Sequence, residues 1–145
     1  MHKIYIYKMI TTAILLFLFL NGANAQNSVS ITNCNTASVF QISNMAFDPS
    51  NPIPGQNGTL ILDYNVPALV SSGSVNYKCD YNSLPVYNEV LDLCSQTACP
   101  INAGLHNDKS ISPVPNANGK VACTIQWYDE SKTELLCINM VLKLQ

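Results

Sequence analysis

The chain has 145 residues, of which 48% are hydrophobic and 11% are charged, and its formal net charge is −2. All 7 of its basic residues are lysines, and so few positive charges argue against binding to nucleic acid, whose phosphates require a basic surface. The acidic residues number 9 and outnumber the lysines. This excess of negative charge argues against tight electrostatic docking on anionic membranes at neutral pH.

The first 25 residues have the three parts of a secretory signal peptide. Lys3 and Lys8 make the N-terminus positive, residues 9–20 form an apolar run, and residues 23–25 (Ala-Asn-Ala) place small side chains before a cleavage site. A transmembrane anchor is the alternative, but about 12 residues are too few to cross ~30 Å of hydrocarbon. We therefore expect residues 1–25 to be a signal peptide and residues 26–145 to form one domain, secreted or delivered to the endolysosomal lumen.

All the cysteines lie after the predicted cleavage site. An even number of cysteines in a secreted chain is typical of disulfides, so we expect three bridges, although many different pairings are possible. A metal site is the alternative, but the sequence has no Cys-x-x-Cys pair, and His106 is the only histidine in this part. We therefore expect no metal site. The cysteines are Cys34, Cys79, Cys94, Cys99, Cys123 and Cys137.

Residues 39–47 begin a series of strand-like segments that are separated by turns. Residues 48–58 contain three prolines and two glycines, which forbid regular structure and predict a long ordered turn. The only N-glycosylation sequon of the chain starts at Asn57 in this turn, so we predict a glycan there. Residues 59–66 and 74–81 then alternate between apolar and polar side chains, which predicts two half-buried strands.

The second half of the chain continues this pattern. Residues 86–93 predict a strand that leads into Cys94 and Cys99, and the segment 91–104 looks like the tip of a β-hairpin stapled by a short disulfide. Residues 104–114 predict a shorter, exposed strand, residues 120–128 an alternating strand and residues 133–144 an apolar last strand. About seven strands separated by proline and glycine turns predict an all-β, immunoglobulin-like β-sandwich of antiparallel strands.

The sequence contains no arrangement of residues that is typical of catalysis. His106 lies in a polar segment without an identifiable nucleophile or orienting acid, and the Gly-x-Ser-x-Gly element of hydrolases is absent. We therefore interpret His106 as a solvated loop histidine and do not expect an enzyme.

Four motifs follow one another along the chain: residues 47–56 (Phe-Asp-Pro-Ser-Asn-Pro-Ile-Pro-Gly-Gln), residues 92–94 with 99–101, residues 119–127, and residues 136–137. In this order they resemble the ML lipid-recognition domain, whose members include phosphatidylglycerol/phosphatidylinositol transfer proteins and the Niemann–Pick type C lumenal sterol carrier. The resemblance covers residues 34–142. It implies an immunoglobulin-like sandwich whose two sheets separate to hold a lipid tail between them.

The resemblance also implies how the cysteines pair. It implies the bridges Cys34–Cys137 and Cys94–Cys99, which leaves Cys79 to pair with Cys123. This last pair departs from the pattern of the sterol carrier. Both residues are in phase with apolar neighbours, however, so a bridge between two strands is physically reasonable.

Apolar side chains on the alternating strands are ordinary core residues by default, and the resemblance favours a second role for them as the wall of a lipid cavity. Val86 and Val114 match positions that resemble the entrance loops of the family, where apolar side chains suit shallow membrane contact. The candidate lipid-binding residues are therefore Leu62, Tyr64, Val75, Tyr77, Val86, Val114, Val121, Ile125, Trp127, Ile138 and Met140.

These observations lead to two hypotheses about function. The first is a protein that binds glycerophospholipids (phosphatidylglycerol or phosphatidylinositol) or sterol and transfers them between membranes by holding acyl chains between two β-sheets. It would act as a monomer, without a cofactor and with only transient contact with the membrane surface. The alternative is a secreted immunoglobulin-like accessory module that binds a protein receptor and presents a lipid to it.

Overall fold

The computed structural model describes residues 26–145, so the predicted signal peptide lies outside the described residues. Nearly all of the regular secondary structure in the described chain is β-strand, with one helix of about a single turn. Among residues 26–145, no helix has the length and apolar character needed to cross a membrane. The elements in chain order are β1 (Ser28–Asn33), β2 (Gln41–Asp48), β3 (Asn57–Val66), β4 (Gly73–Tyr81), β5 (Leu84–Asp92), α1 (Leu93–Gln96), β6 (Gly104–Pro113), β7 (Gly119–Asp129) and β8 (Glu134–Leu144).

Two antiparallel sheets pack face to face. The larger sheet has five strands in the order β1-β8-β7-β4-β5, and the smaller has three in the order β2-β3-β6. This architecture confirms the predicted all-β sandwich. It has one strand more than the sequence predicted, because β1 pairs with β8 along its whole length.

The alternation of side chains along β3 explains how the two sheets come together. Leu62, Tyr64 and Val66 are buried, whereas the residues between them are only half-buried. Tyr64 meets Trp127 of β7 edge-on, with ring centroids 6.1 Å apart. Because successive side chains of a strand point to opposite faces, one face of β3 covers the larger sheet and the other faces outward.

The buried core is divided into two clusters. The first includes Tyr64, Val75 and Leu136, and the second includes Phe47 and Val121. Each cluster contains side chains from both sheets. The sandwich is therefore held together in two places rather than by one continuous core.

The sequence predicted that segment 91–104 forms the tip of a hairpin, and this prediction was wrong. β5 belongs to the larger sheet and β6 to the smaller one, so the chain crosses between the sheets here. Asp92 caps α1, because its Oδ1 accepts a hydrogen bond from the backbone N–H of Ser95 at 3.1 Å. Ile101 and Val70 then exchange two backbone hydrogen bonds of 2.8 and 2.9 Å. The prediction was wrong because alternating flanks predict two strands without determining whether those strands share a sheet.

Three disulfides are present, namely the two that the resemblance implied and the remaining pair, Cys79–Cys123. Cys34–Cys137 ties the segment after β1 to β8, and Cys94–Cys99 lies in the crossover between β5 and β6. Cys79–Cys123 joins β4 to β7 at directly opposite positions of the register. None of the cysteines in residues 26–145 is free.

Glu134 holds the segment between β1 and β2 against β8. Its Oε1 accepts hydrogen bonds from Asn35 Nδ2 at 2.6 Å and Ser38 Oγ at 2.7 Å, and its Oε2 accepts one from Gln126 Nε2 at 2.9 Å. Partial burial alone would raise the pKa of Glu134, but these hydrogen bonds outweigh it and hold the pKa below its ordinary value. The carboxylate is therefore an ionised group that fixes this segment in place.

The two sheets are close at one edge of the sandwich and apart at the other. The backbones of β1 and β2 approach each other, whereas those of β5 and β6 make no comparable approach. Because β5 and β6 are the last strands of their sheets on that side, the sandwich opens along the β5–β6 edge.

Candidate functional site

A cavity of about 420 Å³ lies between the two sheets. Its volume is within the range of about 300–1,000 Å³ that is typical of small-molecule sites. Side chains from the larger sheet form one wall, side chains from the smaller sheet form the other, and the crossover after β5 contributes part of the rim. The lining residues are Phe47, Leu60, Leu62, Tyr77, Cys79, Gln96, Thr97, Asp108, Lys109, Ser110, Ser112, Cys123, Ile125, Trp127, Ile138 and Met140.

The cavity lies between the two core clusters. Leu62 and Trp127 belong to the first cluster, Phe47 belongs to the second, and all three also line the cavity. Ile125 and Met140 point inward from β7 and β8 and yet are only half-buried. Inward-facing apolar side chains that remain partly accessible border an empty space, so the middle of the sandwich is hollow and its ends are packed.

The part of the cavity wall that β6 forms is polar, and we refer to it as the polar wall of β6. In β6, Asp108, Ser110 and Ser112 point into the cavity, and they lie directly opposite Leu62, Leu60 and Gly58 of β3. The inward face therefore changes from apolar on β3 to polar on β6. Since β6 is the strand beside the opening, the polar groups lie near the mouth and the apolar groups lie deeper inside.

Tyr64 anchors this polar wall from the core. Its side chain is 1% exposed, and its hydroxyl donates a hydrogen bond to Asp108 Oδ2 at 2.7 Å. Its ring stacks on Phe40 and His106, with centroid distances of 5.3 Å in both cases. Burial, with a further effect of the hydrogen bond to Asp108, raises the pKa of Tyr64 far above its ordinary value. The hydroxyl is therefore always a donor.

Tyr77 connects the cavity wall to the crossover segment. Its hydroxyl donates a hydrogen bond to Gln96 Oε1 at 3.2 Å, and burial raises the pKa of Tyr77. Gln96 and Thr97 both line the cavity. The segment held by Cys94–Cys99 thus forms part of the rim.

The structure brings six of the eleven predicted residues to the cavity. Two of the other five, Tyr64 and Val75, are buried in the first core cluster, and Val121 is buried in the second. These three point inward, as the alternating pattern predicts, but they pack against neighbouring side chains instead of lining the empty space. The six that line the cavity are Leu62, Tyr77, Ile125, Trp127, Ile138 and Met140.

Val114 is buried in the core instead of lying at an entrance, whereas Val86 is exposed on the edge strand β5. Val114 is only 3% exposed and packs in the second cluster. It is held there because its N–H donates to the carbonyl of Gln56 at 2.8 Å and its own carbonyl accepts from the N–H of Gly55 at 3.0 Å. Val86 lies in strand β5, not in a loop, and is 60% exposed. The two residues were placed by resemblance, without knowledge of their local packing.

Several lining residues were missed by the sequence interpretation. Phe47 and Leu60 are inward-facing members of strands, and the alternation of β3 already pointed to Leu60. Cys79 and Cys123 line the cavity as a disulfide. No sequence signal pointed to Asp108 and the serines of β6, because a polar residue facing a cavity and one facing solvent look the same in a sequence.

His106 lies in strand β6 instead of the predicted loop. Its Nε2 lies 2.7 Å from the carbonyl oxygen of Asn102, and its ring is stacked on Tyr64. Residues 26–145 contain no group of three or more histidine, cysteine or acidic side chains arranged to hold a metal ion. Asn57, the first residue of β3, is exposed, and its glycosylation stays a prediction.

The sequence matches one family model and is similar to several named proteins. The family described as the ML domain matches residues 28–144. Two proteins of Dictyostelium discoideum bear the name phosphatidylglycerol/phosphatidylinositol transfer protein. One is 31% identical over 119 residues, which cover 78% of this chain and 84% of the relative. The other is 30% identical over 158 residues, which cover 97% and 99%.

Solved structures show the same fold at much lower identity. A Niemann–Pick type C2 protein from the Japanese carpenter ant has a TM-score of 0.59 and 16% identity, with 80% of this chain and 99% of that chain covered. Chicken MD-1 complexed with lipid IVa has a TM-score of 0.61 and 11% identity, with 82% and 91% covered. The family match extends from the first strand to the last, and the chain therefore belongs to the ML domain family.

Proposed function

We propose that this protein binds a lipid in the cavity between its sheets and transfers it between membranes. The observation that carries the proposal is a hollow sandwich whose inner wall is largely apolar, with Leu62, Ile125 and Met140 bordering the empty space. The names of its Dictyostelium relatives support phosphatidylglycerol or phosphatidylinositol as the lipid. Sterol is a second candidate ligand, because the sequence motifs also resemble those of the Niemann–Pick type C sterol carrier.

Transfer of this kind requires no catalytic residue. Each methylene that leaves hydrocarbon for water costs about 0.8 kcal/mol, so a free lipid crosses water very slowly. An apolar cavity offers the acyl chain an environment similar to the bilayer, and the exchange between membrane and protein is then close to neutral in free energy. The protein lowers the barrier to transfer without making or breaking a covalent bond.

The β5–β6 edge is the proposed site of lipid entry and of brief contact with the bilayer. The strands that border this edge carry large apolar side chains that are mostly exposed: Leu84, Val86 and Val90 on β5, at 60–67%, and Leu105 and Ile111 on β6, at 85% and 69%. Apolar side chains beside the mouth can enter the interfacial region while a lipid moves. With few lysines in the domain, the contact is expected to depend on these side chains rather than on charge.

The proposed setting is an oxidising compartment. Three disulfides within one domain are typical of extracellular or lumenal proteins. Together with the predicted signal peptide, they support secretion or delivery to the endolysosomal lumen. We propose that the protein acts there as a monomer.

The proposal is tested with protein secreted from eukaryotic cells. Organic extraction followed by mass spectrometry is expected to recover about one lipid per protein, and the purified protein is expected to accelerate the movement of labelled phosphatidylinositol between vesicles. Protein that carries no lipid and causes no transfer of phosphatidylglycerol, phosphatidylinositol or sterol contradicts the proposal. Recovery of a stable protein partner from the same preparation, without transfer, favours the accessory-module alternative.

A further inference from the structure

We propose that Asp108 accepts a hydrogen bond from a hydroxyl group at the polar end of the bound lipid and thereby selects lipids with hydroxyl-bearing headgroups. The inference rests on the proposed function, since it assumes that the cavity holds a lipid. It assigns the specificity of the site to one residue of the polar wall of β6.

Asp108 lies where the polar end of a bound lipid is expected. Asp108 lines the cavity on the strand beside its opening, opposite Leu62, which is 4% exposed. A lipid tail against the apolar wall would therefore have its polar end near this carboxylate. Ser110 and Ser112 continue the same face of β6 along the cavity and offer further hydroxyl groups to a headgroup.

The hydrogen bonds of Asp108 within residues 26–145 occupy only one of its two carboxylate oxygens. Tyr64 donates to Oδ2 at 2.7 Å, and the hydroxyl of Thr97 approaches the same oxygen at 3.5 Å. Within residues 26–145, these contacts use Oδ2 and leave Oδ1 open. An ionised carboxylate offers about four acceptor sites, so it retains the capacity to accept from a ligand. Tyr64 contacts the carboxylate from its buried side.

Lipid headgroups differ in whether they can donate a hydrogen bond to a carboxylate. A carboxylate accepts strong charge-assisted hydrogen bonds from hydroxyl groups, which inositol, glycerol and the sterol nucleus provide. Choline has neither an O–H nor an N–H group and cannot donate. Lys109 follows Asp108 in the strand, and its side chain therefore leaves the opposite face of β6. Asp108 alone thus matches a headgroup that carries a hydroxyl group and does not match choline.

Two structural roles would also place an acidic residue here. Asp108 could serve only to satisfy the buried hydroxyl of Tyr64, or it could be an inward-pointing charge that protects the edge strand β6 from pairing with another chain. Neither role gives a dependence on the lipid headgroup. Headgroup selectivity therefore separates the proposal from both.

The experiment measures uptake by delipidated protein from vesicles that contain phosphatidylinositol or phosphatidylcholine with identical acyl chains. Wild-type protein is expected to prefer phosphatidylinositol by about tenfold, the effect of one hydrogen bond to a charged group. Asp108→Asn is expected to lose most of this preference. Tyr64→Phe keeps the carboxylate and is expected to keep the preference. Asp80→Asn, which removes the same charge from the outer face of β4, is the control and is expected to behave as wild type.

The outcomes are distinguishable. Equal uptake of the two lipids by wild type, or a preference that survives in Asp108→Asn, overturns the inference and leaves the proposed function standing. If Asp108→Asn and Tyr64→Phe lose the preference for phosphatidylinositol equally, Asp108 acts only by positioning Tyr64. This result also overturns the inference. A parallel measurement uses vesicles of phosphatidylethanolamine, and preferred uptake of this lipid over phosphatidylinositol overturns the inference in favour of ammonium recognition. Absence of uptake of any lipid rejects the proposed function itself.

Folding of the variants is controlled by a double substitution. Asp108→Asn alone leaves the buried Tyr64 hydroxyl with a weaker acceptor, which can destabilise the domain. The double variant Tyr64→Phe with Asp108→Asn removes the hydroxyl as well, so no buried donor is left without its partner. This folded double variant is expected to take up both lipids equally, and a retained preference for phosphatidylinositol overturns the inference.

Discussion

A larger side chain in the cavity is expected to stabilise the lipid-free protein, whereas a larger side chain in a well-packed core destabilises a protein. Ile125 lines the cavity and is half-buried. Ile125→Phe adds three carbon atoms on the inner face of β7, and at about 0.8 kcal/mol per buried carbon the gain is at most about 2 kcal/mol. Phenylalanine is also well suited to a strand, so the backbone should tolerate the change.

The same substitution at a packed position is the matched control. Ile101 is 2% exposed, belongs to the first core cluster and does not line the cavity. Overpacking a filled core typically costs about 1–3 kcal/mol, so Ile101→Phe is expected to destabilise by that amount. The two variants carry the same chemical change and are predicted to shift stability in opposite directions.

Guanidinium unfolding of delipidated protein, with all disulfides oxidised, measures the free energy of unfolding for both variants. A second readout is lipid uptake, which Ile125→Phe should reduce because the added ring occupies space needed by the acyl chain. If Ile125→Phe destabilises the protein as much as Ile101→Phe does, the cavity is not an empty space and the reasoning is refuted.

Three further predictions concern stability. The pKa of Glu134 is lowered in the folded state. Its contribution to the free energy of unfolding is therefore fully present above the ordinary glutamate pKa of about 4.3, and it is lost as the pH falls through the lower folded-state value. Urea titrations should therefore show the advantage of wild type over Glu134→Gln at pH 7 shrinking in acid, and a constant difference argues against an ionised Glu134. Gly58→Ala would place a methyl group against the buried ring of Phe47 and should cost about 1–3 kcal/mol in thermal unfolding. An unchanged melting temperature would show that the ring has room to move. Replacing both cysteines of the Cys79–Cys123 bridge by alanine opens a loop with a sequence separation of 44 and should cost about 4 kcal/mol, while unaltered denaturant unfolding would contradict the bridge.

The fold was predictable because alternation and turn residues specify strands locally. Residues 59–66 read as a half-buried strand in the sequence, and β3 covers them with the expected face inward. The membership of β5 and β6 in different sheets was not predictable in the same way, since the turn that would join a hairpin and the segment that crosses between sheets use similar residues. The family resemblance supplied the cavity, because the pattern of residues alone does not distinguish a hollow sandwich from a filled core.

The site was predictable only on its apolar side. Ile125, Trp127 and Met140 share one phase of their strands, and the structure brings them to the cavity. Whether an inward side chain borders a void or packs against a neighbour depends on the separation of the sheets, and no local pattern encodes this distance. For that reason Val75 is packed while Tyr77, two residues along the same strand, lines the cavity.

The most direct test of a lipid held between the sheets is photocrosslinking with a phosphatidylinositol that carries a diazirine at the end of an acyl chain. Digestion and mass spectrometry then identify the labelled peptides. The label is expected on inner-face residues of β4, β7 and β8, such as Tyr77, Ile125 and Met140, which line the cavity. Label found only on the exposed residues of β5, such as Val86 and Val90, would place the acyl chain outside the sandwich and contradict the central claim.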